Sequence, residues 1–212
     1  MANQFLPISI SLKARRCLVV GGGRVALRKI DTLLNYDSDV TVVAPEVDDK
    51  IDYYASKNAL KIIKREYKSP EAAEYGLVIS ASDNMDVNRQ VSDDCKKAGI
   101  PVNVVDKPSL CDFIFPAVIR RDCLSVAVSS DGKAPFLSGH IRMILENIFP
   151  ENWTKVARYA TAFREKVQAR LKGDLAKKTA AYARFLEADW KEILKEKSGD
   201  EIEVLLDEMI QA

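Results

Sequence analysis

Apolar runs and amphipathic stretches alternate along the first hundred residues. Residues 16–21 (RCLVVG) are an almost unbroken apolar run and read as a strand buried on both faces. Residues 24–35 follow with Val25, Ala26, Ile30, Leu33 and Leu34 at helical spacing. The β-branched run 39–45 (DVTVVAP) predicts a second strand, 46–59 a helix, and 60–66 (LKIIKRE) a short strand. Residues 75–82 (YGLVISAS) predict another buried strand. Residues 84–99 predict a helix closed by Gly99 as its C-cap, and 100–106 (IPVNVVD) a further strand. Strand and helix alternating in this way imply right-handed βαβ crossovers and a parallel sheet.

The pattern changes after Asp106. Residues 113–121 and 123–130 are two β-rich runs separated by little more than Asp122, which predicts a hairpin. Residues 134–149 predict a helix with Pro135 near its start. From Pro150 on the chain is almost all helix formers, and Gly173 and Ser198–Gly199 divide it into three expected helices. Tyr182, Phe185 and Trp190 read as packing residues. The expected divisions are 1–112, 113–149 and 150–212.

The chain has 212 residues, 47% of them hydrophobic, enough for one α/β domain and a smaller appendage. Charged residues reach 30%, yet the net charge is +1, so no global field draws the chain to nucleic acid or an anionic membrane. Four scattered cysteines and the single His140 lack the clustered spacing of a structural zinc site. The start, MANQFLPISISLKARR, has no uninterrupted apolar core of a secretory signal. No apolar stretch approaches the ~18 residues that span a bilayer. A reduced, cytoplasmic protein with no resident metal is expected.

The chemistry concentrates at residues 17–29, CLVVGGGRVALRK. Gly21-x-Gly23-x-x-Ala26 matches the G-x-G-x-x-G/A pattern between a strand and a helix. Gly21 permits a tight turn, Gly23 lets a diphosphate approach the backbone, and Ala26 lets helix and strand pack closely. Gly22 adds flexibility or a further N–H. With Arg24 and Val25 at the helix start, the free N–H groups and the helix dipole favour an anion. The acid that usually ends the second strand and binds the ribose is missing. Ala44 and Pro45 stand there, with Glu46 one step on, and no arginine waits for a 2′-phosphate. This favours NAD over NADP. In such a sheet, ligands lie beyond the carboxyl ends of the strands. That crevice gathers Gly21–Gly23, Ala44–Glu46, Ser82, Asp83, Asn103 and Asp106. Ser82 and Asp83 read either as cofactor contacts or as the N-cap of the next helix.

The runs VVGGGRVALRK (19–29), VVAP (42–45), VNVVDKPSLCDFIFPAVIRR (102–121) and VAVSSDGKAP (126–135) resemble the siroheme-synthesis dehydrogenases, the precorrin-2 dehydrogenase family. The likeness runs from about residue 5 to 172. It implies a Rossmann-type α/β domain, a hairpin-and-helix segment used for homodimerisation, and a helical C-terminal domain. It also implies NAD-dependent oxidation of precorrin-2, a tetrapyrrole, to sirohydrochlorin. Some members also insert ferrous iron; an NAD-sensing module without catalysis is the contrasting reading. The family's catalytic aspartate falls on Asp106, which spacing alone reads equally as a turn residue before Pro108. Asn103 is a further candidate for orienting a ring. Cys111 reads as a small buried residue, and Asp112 as a substrate contact or a brace. A polycarboxylate substrate needs cations, for which Lys107, Arg120, Arg121, Lys133 and Arg142 are the candidates.

Overall fold

The computed structural model describes residues 4–211. Their contacts divide into two compact units. One runs to Phe115 and includes the short return Asp131–Lys133; the other holds Pro116–Ser130 and the chain from Ala134 on.

The first unit is a five-stranded parallel sheet. Strands β1 (Arg16–Val20), β2 (Asp39–Val43), β3 (Lys61–Ile63), β4 (Leu77–Ser80) and β5 (Val102–Val104) lie in the order β3-β2-β1-β4-β5. Alternate side chains of β1 feed two separate cores. Cys17 and Val19 pack with Val40, Val42 and Ile79 against α1 (Arg24–Leu34) and α2 (Asp49–Ser56), through Ala26, Ile30, Leu33 and Ile51. Leu18 and Val20 pack with Val43, Val78, Val102 and Val104 against α3 (Met85–Ala98), through Val91 and Cys95. The chain changes faces between β3 and β4, so β4 adds beside β1 and the strand order reverses there. This is the doubly wound sheet that the alternating pattern predicted.

Local signals fix the helix ends. Gly99 adopts the left-handed conformation, with φ 69°, and closes α3 as expected. At the other end the cap is Asn84, whose side chain accepts the N–H groups of Asp86 (2.9 Å) and Val87 (3.4 Å). The capping role considered for Ser82 and Asp83 therefore passes to Asn84. Ser82 Oγ instead accepts the Asn84 N–H at 3.2 Å.

In the second unit, β6 (Ala117–Arg121) and β7 (Leu124–Val128) form the expected antiparallel hairpin, turning at Asp122 with φ 57°. Helix α4 (Pro135–Ile148) follows, then α5 (Trp153–Arg170), α6 (Leu175–Glu187), α7 (Trp190–Glu196) and α8 (Gly199–Gln211). The hairpin and α4, expected as a segment of their own, share this unit with α5–α8. Arg121 contributes to that union. Its buried guanidinium donates to the carbonyls of Phe149 (2.9 Å) and Pro150 (3.2 Å), where α4 gives way to α5.

The C-terminal helical run breaks once more than the sequence predicted. Residues 174–197 read as one helix, but Ala188 is extended and Asp189 starts α7. The Asp189 carboxylate accepts the N–H groups of Lys191 and Glu192, each at 3.1 Å. The break turns Trp190 inward, where its indole N–H donates to the Phe185 carbonyl at 2.8 Å and its ring lies 4.4 Å from that of Phe185. These rings, with Phe163, Val167, Ala181 and Leu206, make the helical core. Tyr182 packs at its edge, so all three aromatics pack as expected.

Replacing Asp189 with alanine removes an N-cap and should cost about 1 kcal/mol. A chemical-denaturation midpoint equal to that of the parent protein would show that Asp189 does not hold the break.

Candidate functional site

Strand register places the crevice. Val43, Val20, Ser80 and Val104 are paired neighbours across four parallel strands, so those strands end in one row. Each following loop leaves along a hydrogen bond to its neighbour. The N–H of Gly21 donates to Val43 (2.9 Å), that of Ala81 to Val20 (2.7 Å) and that of Val105 to Ser80 (2.9 Å). The row lies at the point where the strand order reverses, the position at which such sheets hold ligands.

The three glycines answer to different neighbours. Gly21 has φ 113°, and a Cβ there would run into the Ala81 carbonyl and lie 3.0 Å from Ser82 N. Gly22 is buried, and a Cβ there would strike the Glu46 carbonyl and come within 2.8 Å of Val47 Cα. Its carbonyl accepts the Asp48 N–H at 2.8 Å. Gly22 is thus a seat for the loop after β2. A Cβ on Gly23 would meet nothing within 4 Å. Gly23 caps α1 without any side-chain hydrogen bond, and the first turn of α1 carries no acid. Arg24 and Val25 are exposed there, while Ala26 is fully buried against the sheet. An open glycine before an uncapped helix N-terminus fits a diphosphate.

The neighbouring loops are braced from within. Asn88, buried in α3, accepts the hydroxyl of Ser80 (2.7 Å) and the N–H of Ser82 (3.3 Å), and donates to the Ser82 carbonyl (2.8 Å). Sequence reasoning did not single out Asn88. Its only signal was a polar residue on the apolar face of a helix. Ser82 is half-buried and Asp83 exposed. After β2, Ala44 is buried while Pro45 and Glu46 are exposed.

Beyond β5 the chain folds back on itself. Val105 leads to Asp106, which takes φ 58°, and the Lys107 N–H returns to the Val104 carbonyl at 3.2 Å. Cys111 Sγ lies 3.2 Å from both the N–H and the carbonyl of Val104 and 3.3 Å from the Lys107 carbonyl, which closes the turn. Burial pushes the Cys111 thiol pKa up, and the Val104 N–H only partly offsets it. A thiol so held is packing material, as expected. Asp112 is a brace: its carboxylate accepts the Val102 N–H at 3.2 Å. Asn103 is buried and its amide donates to the Phe113 carbonyl at 2.9 Å, so the fold already uses the group considered for ring orientation.

The Asp106 carboxylate is exposed and accepts no hydrogen bond among the described residues. Lys107 is exposed beside it. The return segment places Gly132 against Pro108, where a Cβ on Gly132 would lie 3.7 Å from Pro108 Cγ, and exposed Lys133 follows. Lys29, absent from the sequence candidates, reaches from α1 to the chain beyond this turn, its ammonium 4.1 Å from the centre of the Phe115 ring.

The other cationic candidates belong to the second unit. Arg120 directs Nε at the Asp122 carbonyl (3.4 Å), and Arg142 is ion-paired with Glu146 at 2.5 Å. Arg121, buried under α4, is structural. Among the described residues no group of three His, Cys, Asp or Glu side chains is placed to hold a metal ion. No helix of the described residues is long and apolar enough to cross a membrane.

A family model of NAD(P)-binding domains, NAD_binding_7, matches residues 8–117. The chain belongs to that family. Siroheme synthase of Ruthia magnifica is 42% identical over 164 residues, which is 77% of this chain and 35% of that protein. Siroheme synthase of Pseudomonas fluorescens is 37% identical over 207 residues, 98% of this chain and 44% of that protein. The chain thus spans less than half the length of these relatives. SirC, precorrin-2 dehydrogenase, has the same fold, with a TM-score of 0.78 over 98% of this chain and 100% of that one at 24% identity. The likeness read from residues 19–29 and 102–121 is borne out, as is the dinucleotide-binding α/β fold with its hairpin and helical extension.

Gly22→Ala and Gly23→Ala should separate fold from ligand. The first is expected to destabilise by about 2 kcal/mol or more, because backbone must move. The second should leave stability within about 0.5 kcal/mol and weaken NAD binding at least about tenfold, read by calorimetric titration. Equal NAD affinity in Gly23→Ala and the parent protein would remove the diphosphate from this corner.

Proposed function

We propose that this chain oxidises precorrin-2 to sirohydrochlorin with NAD⁺ as the acceptor. The observation that carries the reading is the single row of strand ends, which sets the glycine corner and the unspent Asp106 carboxylate along one edge. The names of the relatives and of the structural neighbour supply the substrate class.

The residues divide the work. The N–H groups of Gly23, Arg24 and Val25 hold the diphosphate at the start of α1. The loop Ala44–Glu46 meets the adenosine ribose, and the Glu46 charge repels a 2′-phosphate, which selects NAD. The bound dinucleotide supplies the hydride acceptor. The macrocycle must also lose a proton, and Asp106 takes it at its carboxylate. Lys107 and Lys133 meet the substrate's carboxylates.

We also propose that the chain works as a homodimer. Leu137, Ile141, Ile144 and Ile148 form one stripe along α4 and are 46%, 37%, 49% and 59% exposed. Phe136, 81% exposed, stands beside them. A face this apolar calls for a partner surface, and a second copy offers the same stripe.

Incubating the protein with precorrin-2 and NAD⁺ should yield NADH and the sirohydrochlorin spectrum together. Asp106→Asn should lower kcat by about a hundredfold or more, with NAD affinity unchanged. Parental turnover by that variant would remove Asp106 from the chemistry. A parallel reaction given sirohydrochlorin and Fe²⁺ reads metal insertion directly. Separately, Ile141→Glu combined with Ile144→Glu should convert a dimer to a monomer in sedimentation, and a persistent dimer would assign the interface elsewhere.

A further inference from the structure

We propose that Glu71 determines cofactor specificity: it holds the Arg65 guanidinium in an ion pair and so withholds from NADP an arginine that could accept its 2′-phosphate. The inference rests on the placement of the adenosine ribose at Ala44–Glu46 made above.

The end of β2 carries no arginine, but the neighbouring strand end does. Val43 of β2 pairs with Ile63 of β3, and the Ile63 carbonyl accepts two N–H groups, from Ala44 at 3.3 Å and from Arg65 at 2.9 Å. The first residue of the ribose loop and Arg65 therefore leave their strands around a single oxygen atom. An arginine beside the loop after the second strand is the group with which dinucleotide-binding sheets accept a 2′-phosphate.

The Arg65 side chain is already committed. Its two terminal nitrogens, Nη1 and Nη2, donate to the two carboxylate oxygens of Glu71 at 2.8 and 2.7 Å, and Nη1 also donates to the Glu66 carbonyl at 2.9 Å. Glu71 opens the short helical turn Glu71–Glu74 and accepts the Lys68 N–H as well, at 2.7 Å. The carboxylate is thus fixed by three hydrogen bonds, and the bidentate pair is largely shielded from solvent. Arg65 holds the Glu71 carboxyl below the usual carboxylate range, so it stays charged at neutral pH. Lys64, the adjacent cation, is engaged too, by Asp52 of α2 at 3.0 Å. On the loop after β2 the exposed charge is that of Glu46. A ribose seated there meets a carboxylate and a guanidinium already neutralised. That setting suits a free 2′-hydroxyl and opposes a 2′-phosphate.

The test titrates NAD⁺, NADP⁺ and 2′,5′-ADP calorimetrically into the full chain, Glu71→Gln, Arg65→Met and the Glu71→Gln/Arg65→Met double variant. Glutamine keeps the length of the side chain and an acceptor for the Lys68 N–H, but not the charge that holds Arg65. The parent should bind NAD⁺ more tightly than NADP⁺. Glu71→Gln should bind NADP⁺ and 2′,5′-ADP about tenfold or more tightly than the parent does, with NAD⁺ affinity held within about twofold. Arg65→Met should bring no such gain, and the double variant should lose it. A pair that merely braced the loop would give none of these readings, because a loosened fold does not create affinity for one phosphate. Glu71→Asp, whose shorter side chain cannot reach both guanidinium nitrogens, is read by the same criteria if Glu71→Gln proves unstable. Unchanged NADP⁺ affinity in the folded Glu71 variant would overturn the proposal. So would a parent that prefers NADP⁺, or an equal gain in the double variant, which would assign the effect to the lost negative charge alone. No NAD⁺ uptake by the parent would instead remove the cofactor placement on which the inference stands.

Discussion

The first unit depends on how closely three backbone segments crowd the end of β1. At Gly21 and Gly22 the chain is pressed by the Ala81 carbonyl on one side and the Glu46–Val47 backbone on the other. No side chain fits either gap without moving main chain. That crowding lies where the strand order reverses, the position at which such sheets hold ligands. The same contacts leave Gly23 facing open space at the head of α1. Two of the three glycines thus serve the protein's own packing, and one is left for a ligand. A motif usually read wholly as a phosphate cradle is here mostly a packing device that exposes one.

The periodic parts of this architecture were legible in the sequence. Runs such as CLVV and LVIS, short, β-branched and bounded by turn residues, read as strands covered on both faces, and the amphipathic stretches between them supply the cover. Gly99 announced its own left-handed cap. The break at Asp189 was not legible, because Ala188, Asp189 and Trp190 all sit within a run of good helix formers. What ends α6 is a tertiary demand: Trp190 reaches the Phe185 carbonyl and the aromatic core only if the chain turns. The Ser82–Asp83–Asn84 cluster failed for a different reason. All three residue types cap helices, and only the direction of the chain leaving β4 selects Asn84.

The candidate site shows the same division. Residues bound by backbone geometry fell where the motif put them. Residues whose worth depends on what their polar atoms touch did not, since sequence gives no partner. Asn103 donates its amide to Phe113, Arg121 to the end of α4, and Asp112 accepts from β5. Asn88 and Lys29 were invisible because one is a polar residue on an apolar helix face and the other a lysine on an amphipathic helix, both commonplace patterns.

Counting which polar groups are already engaged therefore says more about this crevice than counting which are present. Cys111, Asn103, Asn88 and Asp112 spend their donors and acceptors on holding the loops, and burial raises the thiol pKa of Cys111 away from reactivity. Buried Cys95 behaves likewise, pushed up to about 12 mainly by desolvation. Neither thiol competes with a redox cofactor for electrons or protons at neutral pH. Among the described residues, Asp106, Lys107 and Lys133 beyond β5 are exposed charges that no bracing contact uses. The polyanionic, oxidisable ring proposed as substrate would need that economy. Bracing groups must be neutral or internally satisfied, or they would attract the substrate's carboxylates to the wrong place. On the proposed function, the exposed charges beyond β5 would then determine both where the substrate sits and where its proton goes.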